Sequence, residues 1–393
     1  MKTEDLPLSG VKVVDLSLLL PGPLCSMYLA DLGAEVIKIE NPRAADATRV
    51  MYKSESGIPA LYLMLNRNKK AMTLNLKKEE CREILFSLLQ DADILLEGFR
   101  PGALDEMGIG WNVLSEKFPG LIYCGISGYG TSGKYRDFAG HDGNYLALSG
   151  MLGLMGSSDA PSLSGAQIAD IGGGTLTALS AILAALYRKA KTGKGMNVDI
   201  SMMESSLQFL SLYLGIYFST GSVPQRGDEL LSGKLPNYNI YKVRNERFVF
   251  LGTLEERFFR CFLRAAGLEK KMEELPLNEE NFPRWKSVLS EYFLKQDFET
   301  LNPIFENSEA CLSPVLNLEE AVHSEVFRER RLVFEMEHSK YGKIFQTGSP
   351  FPFLRGSENR TLPPEHGEHT DEILMKLGYS QEKIGFFRKS RII

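Results

Sequence analysis

Val11-Lys12-Val13-Val14-Asp15-Leu16, followed by Pro21-Gly22-Pro23, Gly33 and Glu35-Val36-Ile37-Lys38-Ile39, is the stretch that sets the fold. The apolar run at 11–16 reads as a buried strand. Proline at the opening of the next segment and glycine at its close stand where helix physics favours them. A second apolar run then begins at Glu35. The same alternation continues outward, with strands at 72–76, 94–97 and 121–127 and helices at 78–89 and 111–118. Strands separated by helices predict an α/β fold with a parallel sheet covered on both faces. A long apolar helix follows at 167–189, then a strand at 197–201 and a helix to about Tyr217.

Composition shifts at 221–236, which is rich in Gly, Ser, Pro and charge, and reads as a linker or a mobile loop. Two strands, 239–243 and 247–252, flank a turn at Arg244-Asn245-Glu246, and charge-rich helical sequence runs from 255 to about 306. This reads as a smaller α+β domain. Helices return at the C-terminus, where Thr370 caps 371–377 and Gly378 stops it.

The chain has 393 residues, so two domains are expected. Hydrophobic residues make up 44% and charged residues 24%, as in ordinary globular proteins. A net charge of −5 gives no reason to expect nucleic acid or an anionic membrane as partner. Cys25, Cys81, Cys124, Cys261 and Cys311 show no C-x-x-C spacing, and Met1-Lys2-Thr3-Glu4-Asp5 is polar. Both point to a reducing, cytoplasmic setting with no signal sequence. Residues 171–187 carry no charge but fall short of the ~20 residues a spanning helix needs, so a buried core helix is expected.

Gly128-Tyr129-Gly130-Thr131-Ser132-Gly133 matches a dinucleotide fingerprint. That motif needs a helix directly after it, and the polar Lys134–Gly140 stretch that follows lacks helical apolar spacing. Glu40 ends the second strand, where such enzymes keep a ribose-binding acid, but the first turn lacks the glycines. Nicotinamide binding is therefore not expected.

The chemistry concentrates in Gly140-His141-Asp142-Gly143-Asn144-Tyr145-Leu146-Ala147-Leu148-Ser149-Gly150, with Asp170 following His141 by 29 positions. Imidazole titrates near neutral pH, and a helix N-terminus favours a developing anion. The residues alone leave two readings open. His141 and Asp142 are a proton-transfer centre, or Asp142 is a helix cap and His141 a loop residue.

Further motifs, taken with these, carry a resemblance. They are Leu8-Ser9-Gly10 leading into the first strand, Ala30-Asp31-Leu32-Gly33-Ala34-Glu35-Val36, Asn66-Arg67-Asn68-Lys69-Lys70, Phe99-Arg100-Pro101-Gly102, Thr192-Gly193-Lys194-Gly195 and Gly367-Glu368-His369-Thr370-Asp371. In this order they resemble the class III CoA-transferase superfamily, and within it the α-methylacyl-CoA racemases. The resemblance implies a large Rossmann-like domain of residues 1–220 with 331–393, a small domain of 221–330, and an interlocked homodimer. It implies that His141 and Asp170 are the two acid/base groups, with Glu255 the partner of His141 and Asp142 that of Asp170. One base on each face of the α-carbon would take the proton away through an enolate and return it on the other side. No metal or organic cofactor is implied, since CoA arrives as part of the substrate. The pair His366 and His369 lies in a polar turn and reads as solvent-facing or capping.

CoA phosphates need cations, and Lys38, Arg43, Arg67, Lys69, Lys70, Lys77 and Arg100 stand at strand ends or in loops. The resemblance adds Leu74, Asn75, Leu76 and Lys77 as a substrate-contacting segment, and Gly140, Gly143, Asn144 and Tyr145 beside the histidine. Met151, Met155, Met202 and Met203 are either an acyl-facing surface or core filler. Some features depart from the racemases. Asn41 stands where they often carry arginine, and the longer stretch 57–67 is similar to the transferases. In transferases the aspartate matching Asp170 is a nucleophile that forms an aspartyl–CoA anhydride. Against that, transferases generally lack the histidine, and several carry a glycine-rich loop where Leu231-Ser232-Gly233-Lys234 stands here. The expectation is a 2-methylacyl-CoA racemase of lipid metabolism. The alternative is a CoA-transferase acting through Asp170.

Overall fold

A computed structural model describes residues 5–55, 57–355 and 360–393. Residues 1–4, part of the polar N-terminus, lie outside the described residues. The chain divides into two compact units. The first holds the sequence to Ser149, Gly165–Phe209 and Glu325–Ile393, and the second holds Gly150–Ser164 and Leu210–Ser324.

The first unit is built on six strands: β1 Lys12–Asp15, β2 Glu35–Glu40, β3 Lys69–Thr73, β4 Ile94–Glu97, β5 Ile122–Ser127 and β6 Met196–Ser201. Their order is β3-β2-β1-β4-β5-β6, with every pairing parallel. Such strands are covered on both faces, which is why Val13-Val14 and Ile94-Leu95-Leu96 are apolar at successive positions. Val14, Leu16, Leu95, Ile84, Leu85 and Leu374 belong to one buried cluster, so the C-terminal segment packs into the same core. The third strand starts three residues earlier than its apolar pattern suggests. Lys69 lies inside it and is fully buried, its ammonium facing Asp15 at 3.4 Å.

The second unit has an antiparallel sheet of β7 Tyr238–Lys242, β8 Phe248–Gly252 and β9 Leu312–Pro314. Helices Glu256–Ala265 and Phe282–Leu294 close its core around Phe259, Phe262, Trp285 and Phe293. In the first unit, β10 Val333–His338 and β11 Gly342–Thr347 form an antiparallel hairpin in a stretch for which the sequence pattern shows no element. Gln346 of that hairpin accepts from Arg67 and donates to the Leu63 carbonyl.

The division differs from the expected boundaries at 220/221 and 330/331. It falls at Phe209/Leu210 and Ser324/Glu325, and residues 150–164 join the smaller unit. The reason is local. Gly150 ends the preceding helix at φ +83°, and the Arg226 guanidinium donates to the carbonyls of Gly153, Ser157 and Ser158. That triple contact binds 150–164 to the second unit.

The segment Ala169–Thr192 is continuous helix, long and apolar enough by composition to cross a membrane. In this fold its Ala178, Leu179, Ile182 and Ala185 are buried. Its first part, Ala169–Leu176, is wound as a π-helix, a geometry that recurs at functional sites.

Candidate active site

In the order β3-β2-β1-β4-β5-β6, successive strands run one way from β1 and the other way from β4. The loops leaving β1 and β4 therefore diverge, and a crevice opens at the carboxyl ends of the strands. A cleft of about 840 Å³ lies there. Residues 17–22 after β1, 98–101 after β4 and 126–129 at the end of β5 and just past it line it, together with 136–141, Asn144, Tyr145, Asp170 and Met202.

His141 is exposed at the start of the helix Asp142–Leu148. Its backbone is extended, and its N–H donates to Asn144 Oδ1 at 3.0 Å. Asn144 thus fixes the entry to the helix while its own side chain lines the cleft. Tyr145 is buried, with its hydroxyl donating to the Gly140 carbonyl at 2.6 Å and its ring edge-on to Tyr129 at 5.1 Å. Burial, more than the nearby Asp170 charge, pushes that phenol up to about 12, so it remains a donor. Gly140 has to be glycine, because a Cβ there would stand 2.6 Å from the Tyr129 hydroxyl and 2.8 Å from the Tyr145 ring.

Asp142 does not line the cleft. Its Oδ1 accepts the backbone N–H of Ala169 at 2.7 Å and of Asp170 at 3.1 Å. It caps the N-terminus of the long helix from a distant part of the sequence, satisfying donors that a helix leaves free. The same bonds set Asp170 in the cleft that His141 also lines. Three glycines let that helix press inward. A Cβ on Gly173 would meet the Met202 carbonyl at 2.7 Å, and one on Gly174 would meet Pro21 at 2.9 Å.

The Asp170 carboxyl is pushed up to about 6, first by burial and then by the Asp142 charge, with His141 opposing. Among the described residues no hydrogen bond joins the two carboxyls, and they act on each other through charge.

The CoA-binding candidates separate into distinct groups. Lys38 is fully buried, pairs with Asp46 at 3.0 Å and donates to the Ser17 carbonyl at 2.8 Å. A phosphate cannot reach it, so its expected role is corrected. Arg67 is buried in a two-pronged pair with Asp31, Lys69 is buried, and Lys70 pairs with Glu372. Arg43 is exposed in the turn after β2. Leu74, Leu76 and Lys77 line a second cavity of about 100 Å³ in the first unit, with Ile39, Asn41 and Phe99. Asn75 is outside that lining, its N–H donating to the Ile392 carbonyl. Gly143 sits in the helix's first turn and does not line the main cleft. Arg100 lines it, pairs with Glu106 and is exposed.

Sequence reasoning missed Arg136, which also lines the cleft. Its signal was a cation in a glycine-bounded loop immediately before the histidine motif. Glu255 is exposed in the second unit, at the N-cap of Glu256–Ala265. Met151 and Met155 also belong to that unit, whereas Met202 lines the cleft. His366 bonds to the Asn41 carbonyl, and His369 accepts from the Ala71 N–H, so both are structural. Among the described residues no group of three or more His, Cys, Asp or Glu is placed to hold a metal ion.

A family model described as CoA-transferase family III matches residues 8–370. The chain is 36% identical over 397 residues to the alpha-methylacyl-CoA racemase of Mus musculus, covering 98% of this chain and 97% of the relative. It is 32% identical to the human succinyl-CoA:glutarate CoA-transferase, over 96% of this chain and 88% of that one. Among solved structures, a CAIB/BAIF family protein from Brucella suis aligns with a TM-score of 0.80 at 27% identity, covering 95% of this chain and 99% of that one.

Proposed function

This chain belongs to CoA-transferase family III, and we propose that within it the protein is an acyl-CoA racemase that inverts the α-carbon of 2-methylacyl-CoA thioesters. The observation that carries the reading is that His141 and Asp170 line one cleft at the carboxyl ends of the strands. The likeness to a racemase over nearly the full length supports it. One of the two groups takes the α-proton as a base, and the C–H electron pair moves into the thioester carbonyl to give an enolate. The other, in its protonated form, returns a proton to the opposite face, and the electrons flow back to carbon. Solvent exchange resets both groups. A carboxyl pushed up to about 6 by burial holds and releases a proton near neutrality, as reversible inversion requires. Amides at the helix start near Asp142 favour the enolate oxygen.

The same proposal gives Glu255 a part in the reaction, so Glu255→Gln lowers α-proton exchange. It includes Arg43, Arg100 and Arg136 as the cations for CoA phosphates, a homodimer, and a cytoplasmic place in lipid metabolism. No organic cofactor enters it.

A second reading is favoured by the likeness to a human CoA-transferase. There the Asp170 carboxylate attacks the thioester carbonyl and CoA leaves as the thiolate; the thiolate attacks the anhydride at the Asp170 carbonyl and frees the donor acid as its carboxylate; the acceptor carboxylate then displaces CoA from that aspartyl thioester, and the thiolate takes the acceptor acyl group from the new anhydride, restoring Asp170. The deciding experiment offers (2R)- or (2S)-2-methylacyl-CoA in heavy water and follows the α-carbon. Deuterium uptake with loss of stereochemical purity supports the racemase. No uptake, with CoA transferred to an added carboxylic acid and a hydroxylamine-sensitive adduct on Asp170, establishes the transferase instead.

A further inference from the structure

The cleft wall at 17–22 rests on buried charge. Asp15 accepts both the N–H and the hydroxyl of Ser17, and also the Ser26 hydroxyl. Lys38 donates to the Ser17 carbonyl at 2.8 Å, and its partner Asp46 takes the Leu19 N–H at 3.2 Å. The side chains of Lys38 and Asp46 are both wholly inaccessible. Asp46 is itself held, by the Thr48 N–H and hydroxyl and by donating its own N–H to Glu40.

What this apparatus grips is a strained residue. Leu19 has φ +66°, a left-handed conformation that disfavours a branched side chain. Its side chain is nonetheless 45% exposed and lines the cleft, as does Leu18. An exposed leucine gains little from burial, so packing does not explain why the backbone accepts this strain. From the other side, Thr175 donates its hydroxyl to the Pro21 carbonyl at 2.8 Å. Thr175 lies on the helical segment that carries Asp170, so loop and carboxyl are joined to one frame.

We propose that the Lys38–Asp46 pair is a positioning device for the reaction: by holding Ser17 and Leu19, it sets Leu18 and Leu19 as the wall against which the acyl end of the thioester lies beside Asp170. The proposal rests on the preceding reading only in placing the acyl group next to Asp170. Lys38 and Asp46 touch no substrate atom and act through the loop. A misplacement of the reacting group by even 1 Å costs up to about 100-fold in rate.

The test separates positioning from general stability by splitting turnover from CoA affinity. On this proposal the wall meets the acyl end of the thioester, which free CoA lacks. Asp46→Asn is expected to lower kcat for α-deuterium exchange about 10- to 100-fold while leaving the Kd for free CoA unchanged. Leu19→Gly tolerates the left-handed backbone without restraint, so in that background Asp46→Asn costs much less. Should Asp46→Asn not fold, Leu19→Ile reads the same effect, because a β-branched residue opposes φ +66° without altering charge. Equal losses in kcat and CoA affinity, the same factor in both backgrounds, or an unchanged kcat in Leu19→Ile overturns the proposal. If the wild type transfers CoA without α-exchange, the racemase reading fails. The same split is then scored on the transfer kcat.

Discussion

Replacing Asp142 by Asn removes one charge from the site and keeps the oxygen that accepts the Ala169 and Asp170 amides. The helix stays capped, and what changes is the field at Asp170. That carboxyl stands at about 6 against an ordinary 3.8, with burial the larger cause and Asp142 the second. Asp142 therefore supplies the smaller of the two raising effects, on the order of one pK unit or ~1.4 kcal/mol. Partial exposure of Asp170 admits solvent screening and trims this further. The direction is fixed by sign, since removing a neighbouring anion makes ionisation easier and lowers the pKa. The acid limb of the α-exchange rate should move down by a fraction of a unit to about one unit. The assay is kcat/KM for deuterium uptake between pH 4.5 and 8, paired with carboxyl carbon NMR of Asp170. An acid limb that stays in place, or moves up, refutes the claim that Asp142 acts on Asp170 through charge.

Asp142→Ala removes the cap itself and should cost about 1 kcal/mol, seen as a fall of a few degrees in Tm, with Asn losing less. Gly140→Ala drives a Cβ into the Tyr129 hydroxyl and the Tyr145 ring; exchange should collapse while circular dichroism reports a folded chain. Asp170 holds its proton more tightly when folded than when unfolded, so its contribution to stability falls as pH rises from about 3.8 to about 6. Asp170→Asn should therefore be more stable than wild type above pH 6, by on the order of 1 kcal/mol once solvent screening is allowed for; denaturant titration at pH 4 and pH 7 checks the difference. His141→Ala should abolish α-exchange while CoA still binds, measured by calorimetry.

Much of the parallel sheet is legible in the sequence because its strands carry short apolar runs such as Val13-Val14 and Ile94-Leu95-Leu96 between helix-like segments. The pattern misleads at β3, where Lys69 is hidden by its pairing with Asp15, since a lysine normally signals solvent. Lys38 misleads in the same way. A cation near a strand's carboxyl end suggests a phosphate ligand, and nothing local reveals that Asp46 folds back onto it. The proximity of His141, Asp142 and Asp170 came through motif resemblance, but the main-chain bonds from Ala169 and Asp170 to Asp142 join residues far apart in sequence. Periodicity carries no trace of such a contact. The β10–β11 hairpin escaped because its strands, Val333–His338 and Gly342–Thr347, are half polar and sit in a charge-rich segment. Leu19 gave no warning either, because left-handed backbone is ordinarily announced by Gly or Asn.

The account stands on two groups acting from opposite faces of one carbon, and the isotopic pattern of the first turnover tests it most directly. A single enantiomer of 2-methylacyl-CoA is mixed with the enzyme in heavy water, and product and remaining substrate are separated before equilibrium. With His141 and Asp170 as two bases, the inverted product carries α-deuterium from the outset while unconverted substrate keeps its hydrogen. Inverted product that retains the original α-hydrogen, or an α-carbon that never exchanges, contradicts the account.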